Sequence, residues 1–165
     1  MEKGTEEMTA RFTILSPPRT KKTSNRIVTI KGKEGGRGFS KILPSAAHAA
    51  WFKIAMSQAL LIRQAVKAVG YTLPIFSPVH INAQFYLERS AGDLLGFEQA
   101  LADFLQEPIA SGKDPRRLIQ NGCGVINNDV QIISWDGSRL RKDAKNPRIE
   151  VEIQALEIGQ GDLFG

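Results

Sequence analysis

Between Val79 and Glu88 the chain changes polarity at every step: Val79, Ile81, Ala83, Phe85 and Leu87 alternate with His80, Asn82, Gln84, Tyr86 and Glu88. Side chains leave a strand on opposite faces in turn, so this spacing predicts a strand with one face in a core and the other in water. Such a strand needs a second layer on its apolar side. Two helical patterns supply it. Ser45, after Pro44, is a cap for the first, and Phe52, Ala55, Met56, Ala59, Ile62, Val66 and Val69 then recur with the spacing of one helical face until Gly70 ends it. Lys53, Ser57, Arg63, Gln64 and Lys67 occupy the opposite face. The second helix spans Asp93 to Leu105, with Leu94, Phe97, Leu101, Phe104 and Leu105 turned inward.

Further strands are expected at Arg11 to Leu15, halted by Ser16-Pro17-Pro18, and at Ile27 to Ile30, followed by a glycine-rich hairpin from Gly32 to Gly38. Others lie at Val130 to Trp135 and Ile149 to Ala155, with Asp136-Gly137 as a hairpin turn from the former to a short partner near Leu140. Glu107 to Gly124, rich in proline and glycine, reads as an irregular insertion. The order β-β-α-β-α-β-β gives an α/β or α+β fold, a mixed sheet with two main helices packed on it. At 165 residues this is one domain, 9–158, between a flexible start, 1–8, and a flexible tail, 159–165.

Net charge is +5, so the surrounding field attracts polyanions. The longest apolar tract, Ile54 to Val69, is broken by Gln58, Arg63, Gln64 and Lys67 and cannot span a bilayer; no membrane partner is expected. The first residues include Glu2, Glu6 and Glu7 instead of a basic region before an apolar one, so no signal peptide is expected. Cys123 is the single cysteine, which excludes an internal disulfide and makes the cytoplasm the expected compartment. As a nucleophile it would need an activating base, and His48 and His80 carry no supporting motif.

Two acids carry the candidate chemistry. Asp93 starts the second helix, where capping alone accounts for it, and Asp129 heads a strand after two asparagines, where turn chemistry does. As a pair they read differently: a divalent ion for phosphoryl chemistry is held by one or two carboxylates plus water and substrate oxygens. An acid at a helix start and one at a strand start can meet at one sheet edge. The basic residues fall in two blocks, Arg19 to Lys41 and Lys113 to Arg148. Solvated loops explain such blocks, and phosphate contacts explain them too; Arg19, Lys21, Lys22, Arg26, Arg139 and Arg141 are the expected DNA contacts.

In order and spacing, Pro18-Arg19-Thr20-Lys21-Lys22-Thr23-Ser24, Ile42-Leu43-Pro44-Ser45, Asp93-Leu94 with Asp103 ten positions on, Asn128-Asp129, Asp136-Gly137-Ser138-Arg139 and Asn146-Pro147-Arg148 resemble the RusA-type Holliday junction resolvases, in particular divergent phage and prophage forms. The resemblance implies a homodimer of mixed α/β fold that cuts four-way DNA junctions with Mg²⁺ held by aspartates, here Asp93 and Asp129. The departures are specific. Against the family pattern Asp-x-Asp-Asn-x-x-Lys, Leu95 stands at the second acid, Gly96 at the asparagine and Gln99 at the lysine, while Asn128 fills a position that is often acidic. The alternative to an endonuclease is therefore a junction-binding protein without cleavage. The tail, Gln160-Gly161-Asp162-Leu163-Phe164, looks like the short peptide by which bacterial replication and repair proteins dock on the sliding clamp, with Leu163 and Phe164 as apolar anchors and Gln160 at the rim. Its other reading is that Leu163 and Phe164 tuck onto the chain's own core or a dimer partner.

Overall fold

The computed structural model describes residues 8–20, 26–30, 38–43, 45–90 and 92–156. Along the chain come β1 (Thr9–Ile14), β2 (Arg26–Ile30), β3 (Phe39–Leu43), α1 (Ala46–Ser57), α2 (Ala59–Ala68), β4 (Val79–Leu87) and α3 (Leu94–Leu105). After these follow β5 (Ile109–Ala110), β6 (Leu118–Gln120), a 3-10 turn (Asp129–Gln131), β7 (Ile132–Ser134), β8 (Arg139–Lys142) and β9 (Arg148–Ala155). The architecture is α+β: a mixed five-stranded sheet with helices on one face, plus two separate strand pairs, β2–β3 and β5–β6.

β4 holds the sheet together. It lies antiparallel to β9 on one side and parallel to β7 and β8 on the other, while β1 adds to the far edge of β9. The register carries the alternation across three strands: Ala10, Ile153 and Ile81 form one inward row, Phe12, Val151 and Ala83 the next, Ile14, Ile149 and Phe85 the third. Directly opposed side chains share a face. Onto that face α3 lays Phe97 against Phe85, ring centroids 5.6 Å apart, and Phe104 against Trp51 and Phe52 of α1 at 6.1 and 5.9 Å.

The expected strand at 79–88 and helix at 93–105 are present, because each has a periodic apolar face that a neighbour buries. The helix expected from 45 to 70 is interrupted. Ser45 caps its start, accepting from the His48 amide at 3.0 Å, but Gln58 leaves the helix with φ −98° and ψ −3°. Its side chain reaches β1's end, accepting from the Leu15 amide at 2.9 Å and donating to the Leu15 carbonyl at 3.4 Å. Its own amide turns back to Ala55, three positions away, as in a 3-10 turn. Val69 falls beyond α2 and is 38% exposed, and Gly70, φ +106°, takes the left-handed conformation that closes a helix.

Other expectations are corrected. Asp136-Gly137 is a turn, with the Ser138 amide bonded to Trp135 O at 3.0 Å, yet it makes no hairpin. β7 and β8 run in the same direction along β4, so the turn is a bulge within one interrupted edge strand. Asp129 does not head a strand: residues 129–131 form the 3-10 turn, and β7 begins at Ile132. The segment expected to be irregular, 107–124, contains the β5–β6 ribbon. Met8, placed in the flexible start, is held by the Tyr71 hydroxyl. Of the expectations, the flexible start at 1–7, the glycine-rich hairpin at 32–37 and the tail at 159–165 lie outside the described residues. Among the described residues no helix is long and apolar enough to cross a membrane.

The chain after the ribbon is fastened to the end of α3. The amides of Cys123 and Gly124 donate to the Phe104 and Gln106 carbonyls, and those of Val125 and Ile126 to Leu105 O, at 2.7 to 3.1 Å. Gly122 makes this approach possible: a Cβ there would stand 2.1 Å from the Gln106 carbonyl oxygen. Gly122→Ala forces the two backbones apart and should lower stability by about 1–3 kcal/mol, read as the shift in a chemical denaturation midpoint.

Candidate nucleic-acid interface

The first turn of α3 packs over the last residues of β4, through Phe97 on Phe85, and its other end meets the residues that precede β4, where Ile126 bridges Gln106 and Ile75. The helix therefore runs back along the strand, and the molecule has two ends about 18 Å apart.

At the first end, Asp93 Oδ1 accepts from the Gly96 amide at 2.6 Å, which caps α3 and places a negative charge at the positive end of its dipole. Gly96 lets a second element close on this turn. A Cβ at Gly96 would lie 2.7 Å from Asp93 Oδ1 and 3.1 Å from Cγ2 of the buried Thr20. The segment ending at Thr20 is thus laid over the helix start, with Arg19 reaching Glu88 at 3.4 Å. Lys21 and Lys22, which continue from it, lie outside the described residues. Arg26 opens β2.

β8 runs along the same end of β4, pairing Arg139 with Gln84, Arg141 with Tyr86 and Lys142 with Leu87. Arg139, Arg141 and Lys142 are exposed on a strand whose outer edge pairs with no other strand among the described residues. Only Arg141 among them has a side-chain bond, from Nε to Gln84 Oε1 at 2.8 Å. Arg148 is committed instead: it lies 3.7 Å over the Tyr86 ring and bonds Asp143 Oδ2 at 2.9 Å and Glu150 Oε1 at 2.8 Å. Arg89 and Lys145 add further exposed cations at this end, against Glu88, Asp93 and Asp143. The open face of the sheet has a different character. A polar hollow of about 470 Å³ there contains the Arg11–Glu152 pair at 2.8 Å and also Glu150, so acids offset its cations.

Asp129 stands at the second end. Asn127 donates from its amide to Ile75 O at 3.2 Å, and Gln131 Nε2 donates to the Ile75 and Ser77 carbonyls at 3.0 Å. Asn128 accepts from the Val130 amide, and its own amide donates to Gln131 Oε1, a reciprocal cap that accounts for Asn128. The structure accordingly does not bring Asp93 and Asp129 together within one chain; both are exposed, at opposite ends of α3. No group of three or more His, Cys, Asp and Glu side chains that could hold a metal occurs among the described residues. Glu98 is no substitute ligand beside Asp93. It lies five positions on, about 140° around the helix, and partial burial raises its carboxyl above the ordinary range, which disfavours the anion a metal needs.

Cys123 is 3% exposed, and burial pushes its thiol up to about 12, so it is a core side chain and no nucleophile. The tail residues Gln160, Leu163 and Phe164 lie outside the described residues. Sequence reasoning passed over Lys142, Arg89 and the Tyr86–Arg148 stack. A signal for the last was present: Tyr86 occupies a polar-face position of β4, where an aromatic ring needs a partner.

Two measurements follow from this geometry. Asp93→Asn keeps an oxygen acceptor and should leave stability within about 0.5 kcal/mol, whereas Asp93→Ala removes the cap and should cost about 1 kcal/mol by equilibrium denaturation. The Arg148 hydrogen bond, supported by the amides of Asn146 and Lys145, holds the Asp143 carboxyl below its ordinary value of 3.8. A group whose folded value is depressed stabilises fully above its unfolded value and loses that contribution as pH falls through the folded one. Wild type should therefore lose stability as pH drops below 3.8, and Asp143→Asn should lose less over that interval in a series of thermal melts.

No protein-family model matches this chain, and no curated protein matches it.

Proposed function

We propose that this chain binds branched DNA through the cationic end of its sheet, in the manner of a junction-recognising protein related to the RusA-type resolvases. The observation that carries the reading is the exposed row Arg139, Arg141 and Lys142 on a free edge strand, with Arg19 and Arg89 at the same end. Cations on an edge meet a phosphate backbone without reading bases, which suits a partner recognised by shape. The overall +5 balance acts in the same direction at longer range.

The test is a gel shift with a synthetic four-way junction and a linear duplex of equal length. The junction should be preferred, affinity should fall steeply with salt, and Arg139→Ala with Arg141→Ala should flatten the salt slope by about one unit per lost phosphate contact. Equal affinity for junction and duplex would overturn the reading.

A second reading, Mg²⁺-dependent cleavage, is favoured only by the exposure of both acids. In a two-fold dimer residue i of one copy meets residue j of the other and the reverse. Asp93 of one chain and Asp129 of another then complete what a single chain separates. Mixing Asp93→Asn and Asp129→Asn chains should restore junction cleavage in Mg²⁺, because the mixed dimer keeps one intact pair. Inactive single variants that stay inactive when mixed would remove this reading and leave the binding one untouched.

A further inference from the structure

The β5–β6 ribbon, at the Asp129 end, has no part in the cationic edge described above. Its construction is unusual for a solvated hairpin. Ile109, Leu118 and Ile119 are 45%, 46% and 72% exposed along its two short strands, with no layer over them among the described residues. Its turn carries Lys113, Arg116 and Arg117, all exposed and, among the described residues, without an ion-pair partner. Asp114 is the single acid there, and its Oδ1 accepts from the Arg116 amide at 3.0 Å, shaping the turn. A two-stranded hairpin is marginally stable alone in water. This one is held at its root, where the amides of 123–126 bind the carbonyls ending α3 and where Arg63 donates to the Cys123 carbonyl at 3.1 Å.

A fixed root, an apolar stem and a cationic turn are three parts of a wedge. Apolar side chains inserted between base steps unstack them, while neighbouring cations hold the phosphates. A solvated loop has no need of Ile119, and the three cations beside it suit an anionic partner. We infer that the β5–β6 ribbon inserts Ile119 into an opened base step at the centre of a branched DNA, with Lys113, Arg116 and Arg117 on the flanking phosphates. This rests on the branched-DNA reading and adds to it a second, independent contact at the other end of α3.

The probe is a four-way junction carrying 2-aminopurine at the crossover, whose fluorescence rises when the base unstacks. Full-length wild type should raise the signal on binding. Ile119→Ser, a change at an exposed position, should lose that rise while keeping its melting temperature and its affinity for the junction. A triple Lys113, Arg116 and Arg117 to alanine variant should lose the rise and also weaken binding. A rise that persists in Ile119→Ser, or wild-type binding with no rise, overturns the wedge while leaving the edge reading standing. Wild type that fails to bind the junction overturns both. Self-association lost in Ile119→Ser, with base fluorescence unaltered, would make the ribbon a protein contact and overturn the inference as well.

Discussion

α3 is fixed at both ends by bonds outside its own ladder, and the placement of every candidate functional residue depends on this. The Asp93 carboxylate satisfies the Gly96 amide at the start, and four backbone amides from 123–126 satisfy carbonyls at the finish. Helix ends otherwise leave such groups unpaired, and a buried unpaired group costs about 1–3 kcal/mol. Because its finish is bonded by one distant segment and its first turn is packed by another, the helix sets where those segments go. Thr20 is drawn to the first turn, and the chain leading to Asp129 is drawn to the last. The two acids are apart for that reason: each belongs to the segment that finishes a different end.

What the sequence reveals depends on whether a feature is encoded in period or in direction. β4, β9 and α3 are legible because their apolar faces repeat every second or every third to fourth residue, and burial rewards that repeat wherever the partner lies. The break at Gln58 is not legible. Its neighbours keep a helical period, with Ala55, Ile62 and Val66 all buried, and only the bonds to Leu15, 43 positions away, end the first helix. The Asp136-Gly137 turn fails for a related reason. A local turn signal gives the bend, with Gly137 at φ +85°, but whether the next strand pairs backward or continues along a third strand is decided by β4. The pairing of Asp93 with Asp129 is an error of direction too: an acid at a helix start and one after a long insertion share an edge only if the insertion returns, and the amides of 123–126 hold it at the far end.

Charge on the described surface divides into committed and uncommitted groups, and the division matters more than the net balance. Arg148 spends its donors on Asp143 and Glu150 and its face on Tyr86, and Glu150 chiefly, then Asp143, hold it more firmly cationic. Such a group stabilises the β8–β9 corner and has little left for a ligand. Arg11 is paired with Glu152 on the open face in the same way. The exposed Arg11–Glu152 pair contributes little to stability, yet such pairs neutralise the centre of the open face and leave the positive field to the edge and the ribbon.

The cations of β8 have a second physical role that bears on how they are read. A free edge strand invites pairing with another chain, and lysines and arginines along it, short strands and bulges all discourage that. This edge has each of these devices: it is split into β7 and β8, bulged at the Asp136-Gly137 turn, and lined by Arg139, Arg141 and Lys142. Edge protection alone would thus account for those three side chains. It does not account for Arg89, which lies beyond the end of β4, outside any ladder that needs guarding, whereas Arg19 there is paired with Glu88. Nor does it account for the buried Thr20 packed against the first turn of α3. Charge that continues past the strand is what edge protection alone leaves unexplained.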